Sequence, residues 1–450
     1  MEQELNIEEL KEQLHTFKVD KVRDTLLSLY PSEISDIMQD LTPAERVLLF
    51  RFLPKDEAAE VFSWLESDQQ EELIQDMEDT HLNELLHNMD IDDAVDFLDE
   101  LPANAVRRLL ALSSPDKRKE LNRFLQYPEE SAGSIMTNQM ILIKNHYTIR
   151  KALDIFRFQK HQPETLLNCY VVDEKSKLIG VVDITDILEA KDDMLVADIQ
   201  QKHAISVQTT EDQEKALHIM HEYGMMMLPV LDKEERLVGV VTIDDMLEVS
   251  KDEATEDFEL MAAISPSENP YMSTNVLTHV KQRFPWLMIL MISGMFNGLI
   301  LGRFEHAFLS IPLLVTFIPM LTDTGGNAGA QSSTLVIRGL ATGDITLKDS
   351  LKIILKELSI SLVIGIGLAI VCFARVYFLS GTHDFMISAT VSLAVLAVVM
   401  LAKLFGAVFP LLGKLVGVDP ALMASPLITT VVDASGLIIF FTLAKLLLNL

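Results

Sequence analysis

The spacing of apolar residues divides the chain into three stretches. Through residues 1–130 apolar positions recur at helical spacing, as at Ala59, Val61, Phe62 and Leu65, in short segments with clear start signals. Thr42-Pro43-Ala44-Glu45 reads as an N-cap, a proline at the first helical position and a capping-box glutamate. Ser67-Asp68-Gln69-Gln70 repeats the box, and Pro31-Ser32-Glu33 and Pro54-Lys55-Asp56 open helices in the same way. Helices this short must stack to bury a face, so the pattern predicts a compact all-α helical-repeat module rather than a catalytic domain.

From 131 to 250 the period shortens and the chain repeats itself. Gly180-Val181-Val182-Asp183-Ile184-Thr185-Asp186-Ile187-Leu188 returns as Gly239-Val240-Val241-Thr242-Ile243-Asp244-Asp245-Met246-Leu247, an offset of 59 residues. Upstream, Tyr170-Val171-Val172-Asp173 matches Leu228-Pro229-Val230-Leu231-Asp232 in pattern, and helical stretches at Thr148–Phe158 and Asp212–Tyr223 precede the two copies. Each copy predicts strand, acidic turn, strand and helix, and two copies should pair because one cannot cover its own sheet. The repeat resembles a tandem pair of CBS modules, which commonly sense adenosine nucleotides. The second copy fits that pattern, and the resemblance implies Thr242 for phosphate or ribose and Asp245 for ribose hydroxyls. The first copy carries Asp183 where the hydroxyl belongs.

Beyond 250 the pattern becomes that of a membrane protein. Ser265-Pro266-Ser267-Glu268-Asn269-Pro270 breaks the chain, and Tyr271 to Phe284 predicts an amphipathic connecting helix ending in Lys281 and Arg283. Uncharged runs of 19, 16, 17 and 18 residues follow, between Arg283 and Arg303, His306 and Asp323, Glu357 and Arg375, and Asp384 and Lys403. Pro420 to Ala444 adds 25 residues whose single charge is Asp433. A span needs about 20 apolar residues, so five transmembrane helices are expected. The domains expected are 1–130, 131–250, a connecting or plug helix at 251–284, and the membrane domain at 285–450. Arg338, Lys348, Lys352, Lys356, Lys403 and Lys414, with Lys281 and Arg283, place the N-terminal domains in the cytoplasm of a multi-pass cell-membrane protein.

Charge sharpens this division. The net charge is −29, yet residues 286–450 hold 9 basic and 8 acidic side chains, leaving 28 basic and 58 acidic in residues 1–285. Such an acidic block excludes nucleic acid as a partner and suits cations or a solubilising surface. Cys169 and Cys372 supply no disulfide framework. Met1–Leu10 lacks the apolar core of a signal peptide. His221-Glu222-Tyr223-Gly224-Met225 is not HExxH, and no nucleophile–base set is evident, so an enzyme is not expected.

The candidate chemistry is therefore carboxylate chemistry. An ionised Asp433 at bilayer depth costs at least about 2.5 kcal/mol, which marks a functional site. Pro319 to Thr334 holds Gly325, Gly326, Asn327, Gln331 and hydroxyls, unfit for lipid but suited to a water-lined path or to close helix packing. Gly365-Ile366-Gly367 lacks polar company and reads as packing. In the soluble part Asp92 and Asp96 lie four residues apart, and Glu248, Asp252 and Glu256 form a carboxylate column. Oxygen ligands in a column suit Mg²⁺ or Ca²⁺, although dipole compensation and a solvated acidic face would give the same pattern.

Taken together, the acidic helical domain, the CBS pair, the connecting helix and the five spans resemble MgtE-type magnesium channels over essentially the full length. Gly325-Gly326-Asn327 with Gln331, Val418-Asp419-Pro420 and Asp433-Ala434-Ser435-Gly436 carry the resemblance most strongly. It implies a homodimeric, Mg²⁺-selective channel in the lipid bilayer that imports Mg²⁺ and is closed by cytosolic Mg²⁺, with ATP as a modulator. Asp433 would recognise hydrated Mg²⁺, Asp419 would stand at the cytoplasmic pore mouth, and Gly325, Gly326, Asn327, Gln331 and Ser425 would line the pore. Cytosolic Mg²⁺ would bridge Glu60, Asp92, Asp96, Asp212, Glu214, Asp245, Glu248, Glu253, Glu256 and Asp257. Ala330 and Ser425 stand where relatives carry Asn, and Gly224 stands where an acidic ligand can occur. Two other readings compete: a divalent-cation carrier coupled to Na⁺ or H⁺, in which Asp433 would titrate, and a membrane-anchored nucleotide sensor, which leaves Asp433 unexplained.

Overall fold

The computed structural model describes residues 10–448 apart from 12, 13, 15, 17, 18, 66, 100, 102, 159–166, 268–270, 273, 305–309, 380–382 and 424. The chain divides into two compact units, Met1–Ser250 and Lys251–Leu450.

The first unit begins with short helices: α1 (Val19–Leu26), α2 (Pro31–Gln39), α3 (Pro43–Phe52), α4 (Lys55–Ser63), α5 (Ser67–Asp76), α6 (Asp79–Asn88), α7 (Ile91–Asp99), α8 (Ala103–Leu112) and α9 (Pro115–Phe124). The expected box at α3 forms in part. The Thr42 amide donates to Glu45 Oε2 at 2.8 Å, while the Thr42 hydroxyl donates to the same oxygen rather than accepting from the helix. Most of these helices pack on the one two places later, because both must bury one apolar face. Surface contacts follow that step: Arg46 to Glu72, Arg51 to Glu78 and Lys55 to Glu84 are ion pairs 26, 27 and 29 residues apart. Being mostly exposed, each contributes at most about 1 kcal/mol. The buried edge-to-face ladder Phe50–Phe62–Phe97, with ring centroids 6.2 and 4.9 Å apart, matters more.

The repeat folds into two three-stranded sheets. Parallel β1 (Ile141–Lys144) and β2 (Asn168–Val172) are followed by antiparallel β3 (Leu178–Asp183); β4 (Val207–Gln208), β5 (Met227–Leu231) and β6 (Leu237–Thr242) copy the arrangement. Helices α10 (Ile149–Phe158), α11 (Ile184–Glu189), α12 (Val196–Ile199), α13 (Gln213–Tyr223) and α14 (Ile243–Met261) complete the pair. The acidic turns are equivalent. Asp173 Oδ1 accepts from the amides of Lys175 and Lys177, and Asp232 Oδ1 accepts from those of Glu234 and Arg236. The copies meet with equivalent residues paired, Lys177 bridging to Arg236, and share a core of Tyr170, Val172, Met227, Leu237 and Val240. A second core runs from the short helices into β4, β5, β6 and the start of α14.

In the second unit α15 (Val276–Arg303), α16 (Ile318–Ala341), α17 (Ser350–Leu379), α18 (Phe385–Val416) and α19 (Ser425–Leu448) have 24 to 32 residues each. Among the described residues, α15, α17, α18 and α19 are long and apolar enough to cross a membrane. Helix α16 is too polar to qualify. The expected second span, 307–322, is corrected: Pro312–Phe317 form a 3-10 turn and the long helix starts at Ile318, running through the glycine-rich segment. Asp323, read as a boundary, lies inside it. The connecting helix ending near Phe284 is also corrected. Residues 251–261 continue α14, and α15 runs unbroken from Val276 through Pro285, capped by the Asn275 side chain accepting from the Thr278 amide. A single proline removes one hydrogen bond, and the apolar residues after it sustain the helix.

Helix α16 packs against α18 and α19 through residues without bulk. A Cβ on Gly329 would stand 2.6 Å from Ile428 Cγ2 and 3.2 Å from the Ala402 carbonyl oxygen. Gly365 likewise abuts Leu396, whereas Gly367 faces open space. Gly329→Leu should therefore destabilise the bundle by more than the about 1–3 kcal/mol of ordinary overpacking. A lowered melting temperature of the detergent-solubilised full chain, compared with Gly367→Leu as control, would check this.

Candidate functional site

The first unit gathers carboxylates at the junction of the short helices with the second repeat. Helices α4, α7 and α14 bring Glu60, Asp90, Asp93, Asp96, Asp245 and Glu248 within electrostatic reach of one another. Burial, then Asp93, Asp245, Glu248 and Asp99, push Asp96 up to about 8, although the residue keeps some solvent access. Burial first, then Asp244 and Asp93, raise Asp245 to about 7 against the hydrogen bond from Thr242. Burial raises Asp93 too, opposed by the Ser63 hydroxyl donating at 2.7 Å. Asp92 is buried within α7. Desolvated, mutually repelling oxygens of this kind favour protons or a divalent cation. Among the described residues, no three His, Cys, Asp or Glu side chains converge as a ligand set for a metal ion. Sequence reasoning missed Lys117. Its Nζ donates to the Met89 carbonyl at 2.8 Å beside Asp90, Asp92 and Asp93, from a helix with no spacing relation to α7.

Other expected ligands lie elsewhere. The Asp212 side chain caps α13 by accepting from the Glu214 amide at 2.8 Å, and both residues are exposed. Glu253, Glu256 and Asp257 are half-buried on α14 beyond Ser250, in the second unit. Thr242 is buried with its hydroxyl donating to Asp245 Oδ2 at 2.5 Å, so this pair faces the acidic cluster. The cleft of the repeat, about 240 Å³, is lined instead by Tyr170, Asp183, His203, Tyr223 and Pro229 among others. Within it Asn168 donates to Asp183 Oδ1 at 2.6 Å.

In the second unit Asp433 is half-buried near the middle of α19, with Oδ1 buried and lacking any hydrogen-bond partner. Thr429, one turn earlier on the same face, meets Gly326 of α16: a Cβ on Gly326 would stand 3.0 Å from its Cγ2. A Cβ on Gly325 would stand 2.7 Å from both Val398 and Val432. Both glycines are buried in packing contacts with α18 and α19. The opposite face of α16 is a polar stripe: Asp323, Asn327, Gln331, Thr334 and Arg338 are all exposed at steps of four, four, three and four. Asn327 Nδ2 donates to Asp323 Oδ1 at 3.3 Å. That spacing was available in the sequence; only its Asn and Gln were expected there. Asp419 is exposed in a tight turn after the left-handed Gly417 cap, its Oδ1 accepting from the Ala421 amide at 2.6 Å. The Ser425 side chain lies outside the described residues.

Lys403, counted in the sequence among the basic residues of the cytoplasmic side, is not exposed. It is buried inside the bundle, donating to Ser332 Oγ at 3.2 Å and 4.0 Å from Glu357. Breaking such a buried pair costs about 3–5 kcal/mol.

The family described as "Divalent cation transporter" matches residues 318–443. The family "MgtE intracellular N domain" matches 29–130, and the CBS domain matches 132–193 and 196–252. The chain is 36% identical over 360 residues to a magnesium transporter MgtE of Thermus thermophilus, covering 80% of this chain and 79% of the relative. It is 33% identical over 332 residues to that of Enterococcus faecalis, covering 73% and 72%. Among solved structures, the soluble part of a magnesium transporter matches 56% of this chain and all of its own at 32% identity, with a TM-score of 0.54. The cytosolic domain of the Mg²⁺ channel MgtE in complex with ATP matches 54% of this chain and 99% of its own at 33% identity, with a TM-score of 0.51.

The acidic cluster sets a pH dependence. Unfolded aspartates release their proton near about pH 4. Asp245 and Asp96 hold theirs to about 7 and about 8 in the fold. Between those limits the native state binds more protons than the unfolded one, so stability falls as pH rises. In chelator, the calorimetric transition of the N-terminal unit in the full chain should move down between pH 5 and pH 8. Millimolar Mg²⁺ at pH 8 should move it back.

Proposed function

From the premise that this chain belongs to the MgtE family of magnesium transporters, we propose that it is a homodimeric Mg²⁺-selective channel importing Mg²⁺ down its gradient. It is a multi-pass membrane protein with its N-terminal unit in the cytoplasm. One observation carries the reading: Asp433 keeps a buried oxygen without a partner near the middle of α19, one turn from the Thr429 that meets Gly326 of α16. Exposed Asp323 and Arg338 cannot face hydrocarbon, so in this reading α16 is the fifth span and its stripe faces water beside a second copy. Two Asp433 side chains then hold a hydrated Mg²⁺, which sheds water reluctantly and needs only one or two carboxylates. Asn327 and Gln331 line the path, and Asp419 attracts cations at its cytoplasmic mouth.

Closure follows from the same electrostatics. Cytosolic Mg²⁺ relieves repulsion among Glu60, Asp92, Asp96, Asp245 and Glu248, and further ions engage Asp212, Glu214, Glu253, Glu256 and Asp257, biasing the equilibrium towards a closed state. Within the second unit the end of α14 has a mechanical outlet. Leu260 is buried against Ile337 of α16 and Ala421 in the Asp419 turn. ATP is proposed for the cleft beside Tyr170 and Asp183, where it would modulate closure, with Thr242 and Asp245 acting on the ion instead.

Asp433→Ala should abolish Mg²⁺ uptake while the protein still inserts and dimerises. Wild-type uptake by that variant would refute the assignment. Currents in proteoliposomes should reverse at the Mg²⁺ equilibrium potential; a requirement for a Na⁺ or H⁺ gradient would instead establish a carrier. Removing residues 1–130 should leave conduction and weaken closure at high cytosolic Mg²⁺ in patch recordings.

A further inference from the structure

The second unit holds a charged group that the path does not use. Glu357 of α17, Ser332 of α16 and Lys403 of α18 meet inside the helix bundle, 8%, 0% and 4% exposed. Lys403 Nζ donates to Ser332 Oγ at 3.2 Å, and that hydroxyl donates to Glu357 Oε2 at 2.5 Å. Lys403 and Glu357 stand 4.0 Å apart, so the serine relays between the two charges. Its hydroxyl both accepts and donates, which fixes its orientation. Three helices are thereby tied at one point of α16, one residue from Gln331 of the polar stripe.

Another side-chain bond from a neighbouring helix to α16 lies near its start, where Arg375 Nη1 of α17 donates to Met320 Sδ at 3.1 Å. Against α18 and α19 it presents Gly325, Gly326 and Gly329, which supply close approach but no directional bond. Neighbouring Ser333 Oγ is buried without a hydrogen-bond partner, so it adds no directional anchor. One residue of helix turns through about 100°, so a slip of that size would carry Asn327 and Gln331 off the face they present.

We propose that Glu357, Ser332 and Lys403 are positioning residues for ion selection, a clasp that fixes the rotation of α16 and hence the presentation of Asn327 and Gln331. This rests on the stripe being the path. The clasp touches no ion. Its contribution is to hold uncharged ligands still, so that a hydrated Mg²⁺ is distinguished from a larger cation such as Ca²⁺ by fixed geometry rather than by charge alone.

The test is uptake of Mg²⁺ and of Ca²⁺ by the full chain in proteoliposomes, expressed per folded molecule. Ser332→Ala removes one oxygen and leaves the ion pair. It should lower Mg²⁺ uptake about tenfold, the scale expected of a slight misplacement, and should lower the ratio of Mg²⁺ to Ca²⁺ uptake, which mere loss of folded protein would not change. The double substitution Glu357→Gln with Lys403→Met removes both charges at similar volume and should lower the ratio likewise. Wild-type rate and ratio in both variants overturn the proposal. Failure of both to fold also overturns it, since the clasp would then be a folding element only. Gln331→Leu in the same assay tests the path: an unchanged rate and ratio there sinks the path reading, whereas an effect there without one at Ser332 sinks the clasp alone.

Discussion

An ionised group away from water must be compensated or used, and the organisation of this chain follows from how it treats each one. Asp433 keeps a buried oxygen without a protein partner. Glu357 and Lys403 compensate each other through Ser332 and need nothing further. In the first unit the carboxylates around Asp93 and Asp96 are compensated only in part by Lys117, and burial holds protons on them at pH values where aspartate is normally ionised. In the proposed function one penalty therefore underlies a cation site, a structural clasp and an ion-responsive surface, according to what stands opposite the charge.

Much of this was legible in the residues. The capping signals located the short helices, and the 59-residue offset anticipated two equivalent sheets down to the paired turns at Asp173 and Asp232. Asp433 could be singled out because its neighbours along the chain are uncharged. What charge counting could not show is whether a charged residue ends a helix or lies inside it. Asp323, Glu357 and Lys403 were read as boundaries, yet all three lie within helices. A membrane helix tolerates a charge when another helix supplies its partner, and that partner is 25 or 71 residues away from Ser332 in sequence. Lys117 escaped notice for the same reason. The step of two helices in the N-terminal stack was likewise hidden, because it is expressed in contacts about 26 to 30 residues apart rather than in a repeated motif.

Glycine has two separate uses in the second unit. In α16 it lets helices approach closely enough for Ser332 to reach both of its partners, while in the turn after α18 the left-handed Gly417 ends the helix so that Asp419 can cap its own loop. The polar side chains on the opposite face of α16 are exposed while the glycine face is packed.

The two halves of the repeat share a backbone but have parted in chemistry. At position 183 a carboxylate held by Asn168 borders an open cleft; at the equivalent position 242 a buried hydroxyl is committed to Asp245. Duplication has thus given one polypeptide two equivalent positions, one bordering a hollow cleft and the other committed to a neighbouring carboxylate. In the proposed function a single scaffold can then register two unlike quantities, an energy-carrying nucleotide and a metal ion, without either displacing the other. Selection can retune one position while the other keeps its setting.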